Sequence, residues 1–436
     1  MQDYDSIISR LFERHQSVQS AGFSSEAYKP GLGNTLEMDA RAGHPSEQLR
    51  CIHVAGTNGK GSVASMLASA FAATGLRVGL YTSPHLLDFR ERIKVLSGGS
   101  YVEEHSLITR KAVLEFIGRW EKDFDELNLS FFEITTVMAF WWFAQKKVDI
   151  AIIEVGLGGR LDSTNIIDPD LCIVTSIGLD HCALLGNTRA EIAREKAGIF
   201  KMSVPALVGE WDDETGPVFE EVAREVGCPV FFADRAPVPE GLIEASQLDL
   251  KGEYQEKNLR TVLSAFLLLR GYYGELLVPP VLDAIRNAAS RTGFHGRWEK
   301  LSGAPLTICD IGHNPPALKE NMSQLRSLMD SGVHDRLVIL YGVMADKALD
   351  DIIPLLPKDA YYVFVTPDTP RAMKAETIAG HFAAAGFDGS AMCIGGSVAE
   401  GLRTAMAMTT EKSLVYIGGS TYVVSDAIKA LRCDKE

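Results

Sequence analysis

The stretch CIHVAGTNGKGSVASMLASAF, residues 51–71, decides the fold of this chain. Residues 51–55 are mostly apolar, as in a buried strand, and a glycine-broken turn at 56–62 follows them. The apolar residues after the turn recur at the spacing of one helix face: Val63, Met66, Leu67, Ala70 and Phe71. Gly75 can end that helix, so the stretch predicts a strand, a turn and a helix in succession.

The turn has the composition of a phosphate-binding loop. A glycine-rich turn that leads into a helix offers backbone N–H groups and the positive end of the helix dipole to an anion. Lys60 adds a charge that suits the β- or γ-phosphate of a nucleotide. The match to GxxxxGK[ST] is imperfect, because Val54 stands at the first glycine position and Gly61 separates Lys60 from Ser62. An ordinary strand-to-helix turn with an exposed lysine is the alternative at this point.

Composition narrows the class of protein. The chain has 436 residues, which predicts two domains, and its net charge of -14 argues against a nucleic-acid binder with a broad basic surface. Its seven scattered cysteines include no CxxC pair, as in a reduced, cytoplasmic protein. No stretch approaches the roughly 18 apolar residues of a membrane span. We therefore expect neither a nucleic-acid partner nor a membrane partner.

Short apolar runs alternate with helical patterns along the whole chain. Both faces of these runs are apolar, as expected for parallel strands buried between helices. The predicted strands lie within 51–55, 77–83, 148–155, 171–177, 204–209, 306–311, 336–343, 360–366 and 413–419. They predict two doubly wound, mostly parallel α/β domains: a P-loop-like ATPase domain at 1–296 and a smaller Rossmann-like C-terminal domain at 297–436.

Three further predicted strands end in residues that bind hard cations, namely Ser83, Glu154 and His181. The carboxyl ends of parallel strands converge on one crevice, where these residues could complete the coordination of Mg²⁺ on nucleotide phosphates. Each residue also has an ordinary interpretation. Ser83 could cap a turn, Glu154 could pair with Arg160, and His181 could make a hydrogen bond in the core.

A lysine is predicted on the apolar face of a later helix. Thr188 and Glu191 form a capping box, and Lys196 shares the inward face with Ile192 and Ala193. Such a lysine must extend to solvent, lose its proton or be modified. A neutral amine can take up CO₂ as a carbamate, which replaces a cation by an anion beside a metal. Helix geometry alone favours a lysine that extends to solvent.

These residues stand within eight motifs that follow one another along the chain: HVAGTNGKGSV, YTSPHL, FFEITT, IIEVGLGGRLDSTN, SIGLDH…LG, EKAGI, HGRWE and DIGHNP. In this order they resemble the folylpolyglutamate synthase/dihydrofolate synthase family of the Mur ligase superfamily, from about residue 30 onward. The resemblance implies an ATP-dependent ligase of folate biosynthesis and one-carbon metabolism. Such an enzyme adds L-glutamate to a folate or dihydropteroate carboxylate through an acyl phosphate.

The resemblance also implies a role for individual residues. The expected ATP contacts are Gly56, Thr57, Asn58, Gly59, Lys60, Gly61, Ser62, Asn258, Arg297 and Asp310. Two Mg²⁺ sites are expected on Ser83, Glu154, His181 and Lys196, the last as a carbamate, which reverses the interpretation from helix geometry. Lys60, His181 and Lys196 are the expected catalytic residues, and a requirement for K⁺ is left open. The expected folate and glutamate contacts are Ser130, Phe131, Phe132, Glu133, Leu161, Asp162, Ser163, His313 and Ser420, with help from the loop at 29–34.

Several alternatives accompany these assignments. Ser130 and Glu133 spell a capping box, so Glu133 could merely start a helix, and Asn258 could be an ordinary polar helix residue. Ile311 and Gly312 depart from the family's usual small pair. Rival functions are a ligase of UDP-linked peptidoglycan precursors and a nucleotide-switched binding module. The motifs EKAGI and TSPHL favour the folate branch, and we expect a bifunctional monomer.

Overall fold

The computed structural model of the chain describes residues 4–15, 29–98, 101–347 and 349–433. Internal contacts divide the chain into two compact units, of which Met1–Asp249 with Tyr254–Phe294 form the first, and Leu250–Glu253 with His295–Glu436 form the second. Each unit is built on one mostly parallel sheet with helices, which confirms the predicted fold class. No helix within the described ranges has the length and apolarity that a membrane-spanning segment requires.

The first unit contains a seven-stranded sheet in the order β3-β2-β4-β1-β5-β6-β7. Its strands are β1 (Cys51–Ala55), β2 (Arg77–Tyr81), β3 (Ile93–Ser97), β4 (Ile150–Glu154), β5 (Leu171–Val174), β6 (Ala206–Val208) and β7 (Val230–Phe232). Only the edge strand β3 is antiparallel to its neighbour. Because the chain leaves β1 toward β2 on one side and later returns to β5 on the other, the carboxyl end of β1 lies where the strand order reverses. Ligands of open α/β sheets bind at such a point.

The helices of the first unit cover this sheet. They are α1 (Tyr4–Arg14), α2 (Gly33–Arg41), α3 (Lys60–Ala73), α4 (Glu103–Ser106), α5 (Arg110–Glu126), α6 (Phe131–Lys146), α7 (Cys182–Leu185), α8 (Arg189–Ala197), α9 (Gly216–Val226), α10 (Gln255–Tyr273), α11 (Pro279–Arg286) and α12 (Ala288–Thr292). Helix α3 is buried on all sides from Gly61 to Ala72, as its small and apolar residues predict. Aromatic side chains of α5 and α6 form much of a large core cluster with Tyr81 and Ile153.

The second unit contains a six-stranded sheet in the order β12-β11-β10-β13-β9-β8. Its strands are β8 (Glu299–Gly303), β9 (Leu306–Cys309), β10 (Leu337–Tyr341), β11 (Tyr361–Thr366), β12 (Met392–Ser397) and β13 (Leu414–Gly418). Its helices are α13 (Pro315–Asp330), α14 (Ala375–Ala384), α15 (Val398–Ala407) and α16 (Thr421–Cys433). The central strands β10 and β13 are completely buried, as expected for parallel strands between helices.

Candidate functional site

The glycine-rich loop joins β1 to α3 in a conformation that requires its glycines. Gly59 has a φ of +88°, and a Cβ there would lie 2.3 Å from the side-chain oxygen of Asn258. A Cβ on Gly56 would lie 1.9 Å from the hydroxyl of Thr175. Substitution at either position would therefore displace the loop or its neighbour.

Two hydroxyl residues at the end of β5 hold the loop in place. Thr175 Oγ1 donates to the carbonyl of Asn58 over 2.6 Å, and Ser176 Oγ accepts from the backbone N–H of Asn58 over 3.2 Å. Thr57 Oγ1 in turn donates to the carbonyl of Gly178 over 3.1 Å. Sequence reasoning missed this support, although hydroxyl residues directly after a neighbouring parallel strand are the signal that could have revealed it.

Two lysine amines converge on one carbonyl of the loop. Lys60 Nζ donates to the carbonyls of Gly56 and Thr57 over 2.9 and 3.2 Å, and Lys196 Nζ donates to the same Gly56 carbonyl over 2.9 Å. The Lys196 side chain does not reach solvent, since the residue is only 4% exposed. Burial, and then the nearby Lys60 charge, lower the pKa of Lys196 to about 7.

Lys196 owes its position to helix α8. The predicted capping box is present, because the Thr188 hydroxyl accepts from the backbone N–H of Glu191 and the Glu191 carboxylate accepts from that of Thr188. Ile192 and Ala193 are completely buried on the same face as Lys196. The sequence therefore predicted correctly that this lysine points inward.

His181 lies beside the same lysine pair. A cavity of about 30 Å³ is bordered by Gly56, Lys60, Asp180, His181 and Lys196, together with the loop after β4. His181 adopts a left-handed backbone conformation with φ of 53°, which is uncommon for a residue other than glycine and occurs often at functional sites. Its backbone N–H donates to Asp180 Oδ1 over 3.0 Å. Asp180 is a neighbour that sequence reasoning did not assign.

The remaining two predicted metal ligands form a second pair. The backbone N–H of Ser83 donates to Glu154 Oε2 over 3.1 Å, and this oxygen lies 3.6 Å from where a Cβ on Gly61 would stand. Glu154 does not make the alternative ion pair with Arg160, which instead binds Glu195. Within the described residues, no three His, Cys, Asp or Glu side chains are arranged to hold a metal ion by themselves.

Helix α10 contacts the loop through a chain of side-chain hydrogen bonds. Asn258 Nδ2 donates to Gln255 Oε1 over 2.8 Å, and Gln255 Nε2 donates to the hydroxyl of Ser62 over 3.1 Å. Asn258 is buried and its side-chain oxygen faces Gly59, so it is not an ordinary surface residue of its helix. Gln255 is completely buried and was not predicted. Its position one helical turn before Asn258 was the available signal.

The SFFE segment begins helix α6 with the predicted capping box. Both the backbone N–H and the hydroxyl of Ser130 donate to Glu133 Oε2 over 2.7 Å. Burial raises the pKa of Glu133, while hydrogen bonds from Ser130 and the nearby Lys29 and Asn34 act against that rise. Glu133 therefore caps helix α6, as the capping box in the sequence predicts. The segment at 29–34 is part of the surroundings of this carboxylate.

The two phenylalanines of that segment have different surroundings. Phe132 fills the space beside Gly156, where a Cβ would lie 2.4 Å from its ring. Phe131 stacks on Phe12 with ring centroids 4.3 Å apart, and the Arg92 guanidinium lies 5.4 Å from its ring centroid. Phe132 thus connects the SFFE segment to the loop after β4, which also borders the His181 cavity.

Asp162 organises that loop from within the RLDS segment. Its Oδ2 accepts from the backbone N–H of Leu157 over 2.8 Å, and its Oδ1 accepts from the hydroxyl of Thr164 over 2.5 Å. The Thr164 hydroxyl proton is thereby used, so its oxygen accepts from His53 Nε2 over 2.8 Å. Burial raises the pKa of Asp162 and lowers that of His53 to about 3. Ser163 is buried beside Asp162, and Leu161 is partly exposed.

The second unit holds the other predicted contacts. Asp310 follows β9, and its carboxylate accepts from the backbone N–H groups of Trp298 and Gly312 over 2.8 and 2.7 Å. It also accepts from the Asn321 amide over 2.8 Å. His313 Nδ1 donates to the carbonyl of Ile311 over 3.0 Å. Arg297 Nη1 donates to the carbonyl of Gly296 over 3.3 Å, and Ser420 Oγ accepts from the backbone N–H of Val423 at the start of α16.

The structure therefore places Ser83, Glu154, His181, Lys196 and Asn258 around the loop 56–62 of the first unit. The strand ends predicted this position for Ser83, Glu154 and His181.

Comparisons with known proteins identify the family to which this chain belongs. Residues 54–262 match the Mur ligase middle domain, and residues 296–421 match the glutamate ligase domain of Mur ligases. A probable bifunctional folylpolyglutamate synthase/dihydropteroate synthase of Haloferax volcanii is 31% identical over 423 residues, covering 92% of this chain and 48% of that protein. The chain thus spans about half the length of this relative. The dihydrofolate synthase/folylpolyglutamate synthase of Bacillus subtilis is 32% identical, covering 84% of this chain and 89% of that one.

Solved structures are similar over almost the whole chain. Escherichia coli FolC in complex with DHPP and ADP has a TM-score of 0.80 and 28% identity, covering 99% of this chain and 98% of that one. A bifunctional folylpolyglutamate synthase/dihydrofolate synthase with Mn, AMPPNP and L-glutamate bound has a TM-score of 0.77 and 26% identity, with the same coverage. These likenesses confirm the resemblance that the eight ordered motifs indicate.

Proposed function

The chain belongs to the folylpolyglutamate synthase/dihydrofolate synthase family of Mur ligases, and we propose that it joins L-glutamate to a folate or dihydropteroate carboxylate at the expense of ATP. One observation carries this proposal: the amines of Lys60 and Lys196 meet at the Gly56 carbonyl, beside His181. The charge of Lys60 beside the glycine-rich loop favours the binding of a polyanion such as a triphosphate, and the buried Lys196 amine lies next to it.

The reaction begins when the substrate carboxylate attacks the γ-phosphorus of ATP, which breaks the bond to the β-phosphate oxygen and releases ADP. The glutamate amine then attacks the acyl phosphate carbonyl, loses a proton and expels phosphate, so that an amide forms. Negative charge grows on the phosphoryl oxygens in the first step. Lys60 and the backbone N–H groups of the loop stabilise that charge without having to reorganise.

Lys196 serves this chemistry as a carbamate. With a pKa of about 7, roughly half of its amines are neutral at neutral pH, against about one in 2,500 for an ordinary lysine. The neutral amine forms an N–C bond to CO₂ and releases a proton, which converts a cation into a bidentate oxygen donor. We infer that the family's lysine modification occurs at this position.

The residues present fit a divalent cation. The serine hydroxyl and carboxylate of the Ser83–Glu154 pair are hard oxygen donors, and a carbamate at Lys196 would add another beside His181. We propose that each pair holds one Mg²⁺. Bound Mg²⁺ would neutralise charge on the phosphate oxygens. The ADP and Mn–AMPPNP complexes of the relatives support ATP and a divalent cation, and a requirement for K⁺ stays a prediction.

We assign the pterin-bearing substrate to Ser130–Glu133 and to Leu161–Ser163 of the first unit. Glu133 and Asp162 act there mainly by holding local backbone, whereas the phenylalanines offer ring surface. The presence of both the 29–34 loop and the SFFE segment favours a bifunctional enzyme. We assign ATP binding to residues 1–296, with contributions from Arg297 and Asp310. We assign glutamate binding to His313 and Ser420 of residues 297–436, in a monomeric, cytoplasmic protein.

The deciding experiment compares three carboxylate substrates. Purified protein with ATP and Mg²⁺ is given dihydropteroate, tetrahydrofolate or a UDP-linked peptidoglycan precursor, each with and without L-glutamate, and ADP and amide product are measured. We expect glutamate-dependent turnover with both pterin substrates. Turnover with the UDP-linked substrate alone would identify a peptidoglycan ligase. ATP binding without glutamate-stimulated phosphate release would identify a nucleotide-switched module.

Replacing Lys196 separates its chemical role from a structural one. Lys196→Ala should lower kcat at least about 100-fold while the Kd for ATP changes less than about threefold, because a carbamate acts on the reacting centre. Lys201→Ala is the control, since Lys201 is partly buried, has a pKa lowered by burial and likewise donates to a backbone carbonyl, that of Asn165, over 3.0 Å. An equal loss of ATP affinity and turnover in K196A would show that this lysine only supports the loop.

A further inference from the structure

A second buried lysine, outside the site described above, lies on the edge strand β3. Lys94 is 3% exposed, and its Nζ donates to the carbonyls of Thr292 and Gly293 over 2.7 and 3.1 Å. These two carbonyls stand at the end of α12, where helical backbone acceptors lose their partners within the helix. Lys94 therefore caps the C-terminus of α12, although its strand β3 lies about 200 residues earlier in the chain.

A carboxylate closes the other end of the same helix. Asp249 Oδ1 accepts from the backbone N–H of Ala289 over 3.0 Å, and its Oδ2 accepts from that of Ser290 over 2.8 Å. Asp249 is also the last residue before the chain first leaves the first unit, and Phe294, just beyond α12, is the last before it leaves again. The two points where the chain leaves the first unit, Asp249 and Phe294, are thus connected through the short helix α12. Asp249 caps one end of this helix and Lys94 caps the other.

The exit at Phe294 is connected to the phosphate loop. Gly293 has a φ of +58°, and the ring of Tyr101 fills the space where its Cβ would lie. That ring also lies 5.7 Å from the amine of Lys94. The Phe294 ring contacts the first turn of α3, since a Cβ on Gly61 would lie 2.8 Å from it. Loop, helix and exit therefore form one continuous set of contacts within the first unit.

We propose that Lys94 and Asp249 are positioning residues for ligation, which fix the point where the chain leaves the first unit against the phosphate loop. This inference rests on the proposed function, because the residues predicted to bind glutamate follow that exit. Neither residue touches a reacting atom. Both act by keeping α12 and Phe294 in one position while ATP is bound at the loop.

Burying a lysine amine costs free energy that an apolar side chain of similar size would not. We infer that Lys94 is present because of its hydrogen bonds and not because of its volume. Burial lowers the pKa of Lys94 to about 8, so the charged amine is disfavoured there. A methionine would fill a similar volume without that cost. What methionine cannot do is donate to two carbonyls at once.

The test compares variants that keep or remove these hydrogen bonds. Lys94→Met removes the donors, Lys94→Arg keeps them, and Asp249→Asn weakens the other end of α12. Lys111→Met, at an exposed lysine of α5, is the control. For each variant we would measure kcat for amide formation, the Kd for ATP, and backbone hydrogen exchange over 288–296. Denaturant unfolding shows which variants are folded.

We expect K94M and D249N to lower kcat at least tenfold with the Kd for ATP within twofold of wild type, and to speed exchange of the Phe294 amide, which is bound to the Ala289 carbonyl. K94R should recover kcat to within threefold. If K94M does not fold, D249N and K94R decide the question. Folded variants with unchanged kcat, or with ATP affinity lost in step with kcat, would overturn the inference. A wild-type protein that forms no amide would instead refute the proposed function, which the wild-type assay alone reveals.

Discussion

Nucleotide contacts were predicted at two places, which we call the first corner (the loop 56–62 with Lys196) and the second corner (Asp310 with its hydrogen-bond donors). The two corners are built in opposite ways. In the first unit, the amines of Lys60 and Lys196 share the carbonyl of Gly56, and burial beside Lys60 lowers the pKa of Lys196 to about 7. In the second unit, the carboxylate of Asp310 receives three hydrogen bonds from its own unit and is only 2% exposed. The first corner is therefore suited to binding an anion, whereas the carboxylate of the second corner is hydrogen-bonded within its own unit.

Residues with the same predicted role can therefore have different physical support. Two amines held this close disfavour each other's charged form, so their site gains stability when a ligand or a modification brings negative charge. A buried carboxylate that accepts three N–H groups is already an essential part of its own fold. Substitutions at the first corner should therefore change chemistry, and those at the second should change stability.

The largest effect is expected at Lys60. Lys60→Met should lower kcat about 100- to 1,000-fold, because a charge aimed at the phosphoryl oxygens is lost. The free energy of unfolding should change by less than about 1 kcal/mol, since the amine is only partly buried and donates to backbone carbonyls beside another amine. Steady-state kinetics and denaturant unfolding measure both quantities, with Lys319→Met on an exposed part of α13 as control. A loss of several kcal/mol of stability would contradict the contrast.

Asp310 should behave in the opposite sense. Asp310→Ala leaves the buried N–H of Trp298 and the partly buried N–H of Gly312 without their acceptor, and we expect it to lower the free energy of unfolding by about 3 kcal/mol. Asp310→Asn should be nearly as costly, because its amide presents donors to donors. Unfolding followed by tryptophan fluorescence measures the loss. A D310A protein with the stability of wild type but no ATP binding would show that Asp310 serves nucleotide binding and not the stability of its unit.

A smaller effect is expected from pH at the first corner. The pKa of Lys196 is lowered to about 7 in the folded protein, so the unfolded chain binds more protons and stability rises with pH. Between pH 8 and pH 6, wild type should lose about 1 kcal/mol of unfolding free energy relative to Lys196→Met. Denaturant titrations in CO₂-free buffer without nucleotide measure this. If the free energy of unfolding had the same pH dependence in both proteins, burial would not disfavour the charged form of the Lys196 amine.

The central strands of each sheet were predicted from the sequence, and the edge strands were not. All nine predicted runs contain strands, whereas β3, β7, β8 and β12 were not predicted, and these four are the edges of the two sheets. An edge strand has neighbours on one side only and keeps exposed residues, so it lacks the continuous apolar run that marks a buried strand. Hydrophobic pattern alone therefore could not reveal the edges.

Within the site, residues on predicted strand ends and helix faces were found, and residues that act through the fold were not. Lys196 could be placed from helical spacing, because the inward face follows from three neighbouring positions. Gln255 and Asp180 lie at the site because distant segments fold against the loop, and their local signal was weak: a position one helical turn before Asn258 and one directly before His181. Lys94 is the extreme case, since its partners follow it by about 200 residues.

The complete burial of α3 has a consequence for biosynthesis. Its partners include α10, α11 and α12, and the hydroxyl of Ser69 binds the carbonyl of Ala284, 215 residues later. At ordinary ribosomal speeds this interval lasts roughly 10–40 seconds. For that time the nascent chain exposes an apolar helix whose cover has not been made, so completion of the first unit waits until translation has passed the exit at Phe294.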